Sequence, residues 1–68
     1  MEPKLFATIR KLYGYNQQQL SDKLCVSQSL IAKIERGDRV ITEQLERKLF
    51  SELYLTADKV AAIKRLIS

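Results

Sequence analysis

The chain has no histidine and no tryptophan, and only one cysteine, one proline and two glycines in 68 residues. Without histidine there is no histidine-based triad, no imidazole proton shuttle and no Cys/His zinc site. A lone thiol closes no internal disulfide and suits a reducing compartment, so a cytoplasmic location is expected. No carboxylate cluster offers a metal site, and no nucleophile is paired with a base. Neither metal, cofactor nor enzymatic activity is therefore expected. Apolar runs extend only a few residues, which excludes a membrane span and a signal peptide. The scarcity of Gly and Pro favours helices over a turn-rich sheet.

What is present is one small domain, taken as residues 1–68, with an ordinary 46% of apolar residues. A core this small yields only a few kcal/mol, so help from a second subunit is expected. Twelve basic and eight acidic residues give a net charge of +4, which suits an anionic partner. The charge is unevenly placed. Residues 1–40 carry seven basic and four acidic side chains (+3), and residues 41–68 carry five and four (+1).

Helical periodicity divides the chain into five short segments. The first runs from Pro3, a proline suited to a helix start, to about Tyr13. It has Leu5, Ile9, Leu12 and Tyr13 on one apolar face, Phe6 beside them, and Gly14 as a left-handed stop. The second starts at Asn16, where Asn16 and Gln19 form the pattern of a capping box, and ends near Cys25. Its inward residues are Leu20 and Leu24. The third is capped by Ser27, buries Ile31 and Ile34, and stops at Gly37. Ser29, Ala32, Lys33 and Arg36 fall on its opposite side. The fourth follows Thr42 with Leu45, Leu49 and Leu53 inward and Phe50 and Ile41 alongside. The fifth follows Thr56 with Val60, Ile63 and Ile67 inward, broadened by Leu66. Lys64 and Arg65 suit its C-terminal dipole. The expected fold is all-α, a compact bundle of five short helices. No segment is long enough to be helical alone, so packing must hold them.

The most informative stretch is residues 17–37. A helix of barely two turns, a tight turn at residues 25–27 and a second helix follow directly on one another. The first is too short for an antiparallel hairpin, so a crossed pair is the better reading. The second then presents its polar face outward.

Gln17, Leu20, Leu24, Val26 and Ser27, followed by Ile31, Ile34, Glu35, Arg36 and Gly37, carry a close resemblance to the lambda-repressor/Cro-like helix-turn-helix family. It covers nearly the whole chain and weakens after Thr42. It implies that the second and third helices form the helix-turn-helix, and that the protein regulates transcription by placing the third helix in the major groove of an operator. Ser27, Gln28, Ser29, Ala32 and Lys33 then stand at base-contacting positions. Glutamine can pair bidentately with adenine, lysine can donate to guanine, and Ala32 can touch a thymine methyl. Arg10, Gln17, Lys23, Arg36 and Arg39 stand at phosphate-contacting positions. Arg10 and Glu35 resemble the family's structural ion pair between the first and third helices.

Three positions depart from the family pattern. Cys25 replaces the usual turn glycine, Ser21 the usual small alanine, and Tyr54 a residue that is often glycine before the last helix. Phe50, Leu53, Tyr54, Leu66 and Ile67 offer more apolar surface than a small core needs, and a homodimer interface is expected there. Two recognition helices would then meet a palindromic double-stranded site. A second reading, from another functional class, is a protein-interaction module of the same fold, an antirepressor or regulatory partner.

Overall fold

The computed structural model describes residues 1–67. The helices are α1 (Pro3–Leu12), α2 (Gln17–Leu24), α3 (Gln28–Arg36), α4 (Glu43–Glu52) and α5 (Ala57–Ile67), and no strand occurs among the described residues. α2 packs against α3 and α4, and α1 packs against α3 and α5. The expected five-helix, all-α bundle is thus what forms.

Each start has a local cause. Pro3 opens α1 where an amide would have lacked a partner. At α2 the capping box closes both ways. The Gln19 amide donates to Asn16 Oδ1 at 2.7 Å, and the Asn16 amide donates to Gln19 Oε1 at 2.8 Å. Hydroxyls of Ser27, Thr42 and Thr56 accept from the amides of Leu30, Leu45 and Lys59, each at 3.1 Å. Caps of this kind are worth about 1 kcal/mol each, enough to matter in helices of about ten residues.

The helix ends follow one rule as well. The four connections each contain a left-handed residue: Gly14 (φ 80°), Cys25 (φ 57°), Gly37 (φ 84°) and Tyr54 (φ 54°). The ends of α1 and α4 match bond for bond. The Tyr13, Gly14 and Tyr15 amides donate to the Ile9, Lys11 and Arg10 carbonyls. Those of Leu53, Tyr54 and Leu55 donate to Leu49, Ser51 and Phe50. A six-residue closure around a left-handed residue satisfies carbonyls the helix leaves open.

All five helices and the loops before and after α4 contribute to the core: Leu5, Phe6, Ile9, Leu20, Leu24, Ile31, Ile34, Ile41, Leu45, Leu49, Leu53, Leu55 and Ile63 are buried. Three residues expected on inner faces lie outside it. Leu12 is 57% exposed, Tyr13 37% and Leu66 74%. The apolar stripe of α1 is longer than the surface available to cover it. α5 packs chiefly on α1, and one neighbour covers only the stripe of Val60, Ile63 and Ile67.

Candidate nucleic-acid interface

α3 is a two-sided helix. Ile31 and Ile34 are fully buried or nearly so, while Gln28, Ser29, Lys33 and Arg36 are exposed and Ala32 is half-buried. Its first residues emerge at the surface because the turn before it is tight. The Val26 amide donates to the Ser21 carbonyl at 2.9 Å, with Cys25 left-handed between them. Cys25 thus adopts a left-handed geometry that glycine takes most readily, and the turn closes around it. Ser21 is 1% exposed, and its hydroxyl donates to the Gln18 carbonyl at 2.7 Å. That bond satisfies the one polar group brought in where an alanine would be apolar.

The orientation of α3 is set by a polar hub. Arg10 Nε donates to Glu35 Oε2 at 2.6 Å, and Nη2 donates to Oε1 at 3.0 Å. Arg10 Nη1 donates to the Tyr15 carbonyl at 2.9 Å. Gln17 Nε2 adds a bond to Glu35 Oε1 at 3.2 Å. The two ionic side chains are each about 10% exposed. A bidentate fork this sheltered fixes both planes, because any slip breaks two charge-assisted bonds. One carboxylate therefore ties α3 to α1 and to the first residue of α2.

The expected ion pair is present. Arg10 is 9% exposed, and each of its three guanidinium nitrogens donates inside the protein, so its structural role is the one on view. Gln17 is half-buried and holds Glu35 through its amide nitrogen, which leaves its side-chain oxygen and the helix N-terminus at the surface. Lys23, Arg36 and Arg39 are exposed. Arg36 Nε lies 3.0 Å from Asp38 Oδ2 with both side chains about 60% exposed, a pair that solvent weakens. The Ser27 hydroxyl caps α3 and keeps its proton available to a partner. Ser27, Gln28, Ser29 and Lys33 are exposed together, beside Ala32, along the outer side and start of α3.

The apolar positions expected at a dimer interface separate. Tyr54 is 82% exposed and Leu66 74%, whereas Phe50 and Ile67 are half-buried against the core. Leu53 is corrected: it is 3% exposed and belongs to the core, because it closes α4 just before the chain reverses. Sequence reasoning missed Leu55 as a core residue and the Gln17–Glu35 bond. The alternation Leu53-Tyr54-Leu55 signals the first; nothing local signals the second, whose partners are 18 residues apart.

Among the described residues no helix is long and apolar enough to cross a membrane, and no group of His, Cys, Asp and Glu gathers to hold a metal. Neither a curated protein nor a solved structure matches the chain. A helix-turn-helix family model matches residues 6–53. The match runs from the buried Phe6 of α1 through the hub and the α2–α3 turn to Leu53 at the end of α4, and it covers most of the 68 residues. With the capped α2, the tight turn and the two-sided α3 all inside that span, the chain belongs to the lambda-repressor-like helix-turn-helix family of DNA-binding regulators.

Proposed function

We propose that the protein is a sequence-specific transcriptional regulator that inserts α3 into the major groove of double-stranded DNA. The observation that carries this reading is the pairing of a polar outer face, Gln28, Ser29 and Lys33, with an inner face locked by Ile31, Ile34 and the Arg10–Glu35 fork. Gln28 reads adenine with its side-chain amide, Lys33 donates to guanine, and Ser27, Ser29 and Ala32 complete the contact. Gln17, Lys23, Arg36 and Arg39 hold the backbone on either side. Regulation is by occupancy of the operator.

A homodimer built on Tyr54 and Leu66, with Phe50 and Ile67 at its margin, places two reading helices about one helical turn apart on a palindrome. Selection of bound sequences from random duplexes at about 100 mM salt tests the whole reading. A palindromic consensus is the expected result, and recovery of no preferred sequence overturns it. Within that consensus, Gln28→Ala should cost about 1–3 kcal/mol and relax one base position per half-site.

A further inference from the structure

Next to the reading helix, the α2–α3 turn, the α3–α4 loop and the first turns of α4 border an open groove of about 290 Å³. Its apolar lining is Leu24, Val26, Leu30, Ile34, Val40 and Leu45, with Cys25 beside them. Val40 is 86% exposed, so a β-branched side chain stands in water at the edge of the core. The charged residues that line the groove are Arg39 and Lys48, both cations. Both are exposed, and neither is paired with a carboxylate among the described residues. The volume lies at the low end of small-molecule sites, roughly 300–1,000 Å³, and the groove is open. It suits one or two side chains of a larger partner better than an enclosed ligand. A second depression, lined by Glu46, Arg47 and Phe50, carries both signs of charge and selects nothing comparable.

We propose that the groove docks an acidic amphipathic segment of a partner protein. An aliphatic or aromatic side chain of that segment sits against Leu24, Val26, Leu30 and Val40, and its flanking carboxylates meet Arg39 and Lys48. Charge complementarity decides the occupant: two unpaired cations around an apolar floor repel a basic segment and leave a neutral one without the ionic part of the contact. The net charge of +4 adds attraction at longer range. Arg39 is also a proposed phosphate contact, so the partner and a DNA backbone draw on one cation. That competition rests on the operator reading; the lining and the charge of the groove do not.

Panning a phage-displayed random-peptide library on the full chain, without DNA, tests the proposal. Enriched peptides should combine Leu, Ile or Phe with Asp or Glu. Synthetic copies should shift the backbone amide resonances of residues 24–26, 30 and 39–45. Lys48→Glu should weaken them about tenfold or more, with unchanged circular dichroism, and Val40→Asp should weaken them further. The proposal is overturned if no peptide is enriched, if the enriched peptides are neutral or basic, if the shifts fall on α5, or if Lys48→Glu leaves affinity unchanged. It is also overturned if Val40→Asp alters the oligomeric state of the peptide-free chain, since a second copy then fills the groove. Failure of the duplex selection leaves every one of these measurements readable.

Discussion

Around α3 the helices are held by directional bonds; around α5 they are held mainly by apolar packing. The Arg10 fork, the Gln17 bond and the Tyr15 carbonyl meet where α1, α2 and α3 come together. At the far side, Leu49, Leu53, Leu55 and Ile63 fill space with no comparable geometric demand. A sheltered ion pair adds little net stability over a well-packed apolar pair, because desolvating two charges offsets much of their attraction. What such a pair supplies is register. The polar hub sits where an angle matters, and the greasy contacts sit where only cohesion does.

The sharpest way to break this contrast is Arg10→Ala. It leaves the Glu35 carboxylate sheltered with no counter-charge and should cost about 3–5 kcal/mol, measured by urea unfolding. A chain of this length has roughly 3–10 kcal/mol in all, so the loss should be about a third or more of the total and should shift the urea midpoint well down. Replacing both partners, Arg10→Met with Glu35→Leu, should restore stability to within about 1 kcal/mol. DNA affinity should stay low if the fork sets register, and a fully restored affinity would show that packing alone sets it.

On the apolar side, Leu49→Ala should cost about 3 kcal/mol from lost burial and the cavity left behind. Affinity per folded molecule should be unchanged, checked by titrating DNA at a temperature where the variant is folded.

The two matched turns give a smaller, signed pair of effects. Gly14→Ala meets no atom within 4 Å, so its cost of about 1 kcal/mol is purely torsional. Tyr54→Gly relieves the same torsion and, measured at a concentration where the chain is monomeric so that the proposed dimer contact does not enter, should stabilise by up to about 1 kcal/mol, offset in part by the greater freedom of glycine in the unfolded chain. Thermal melts of both variants read the difference. The smallest effect belongs to Asp38→Ala. Its pair with Arg36 is exposed, so stability should move by less than about 0.5 kcal/mol, while release of Arg36 should tighten DNA binding measured at low salt.

Much of this was legible in the sequence because helix signals are local. Asn16 with Gln19, Ser27, Thr42 and Thr56 each mark a start through bonds spanning three residues, and each bond is present. The Arg10–Glu35 pair was legible only through the family resemblance, since 25 residues separate the partners. Leu12, Tyr13 and Leu66 were misplaced for a related reason. A helical wheel shows which residues share a face, but it does not show how far a neighbouring helix extends to cover that face. Leu53 is buried, as its spacing with Leu45 and Leu49 predicts, and for that reason it is not available to the interface also expected of it. The proposed base and phosphate roles rest on exposure together with the family resemblance.

The shared oxygen of Glu35 has a kinetic consequence. It accepts from Arg10 and from Gln17, so α3, α1 and the start of α2 are tied to one another before any partner arrives. What remains to become ordered on contact is exposed side chains such as Gln28 and Lys33. A domain prepared in this way meets its target as a rigid body, and the speed of capture is set by diffusion and orientation, without a folding step in the path.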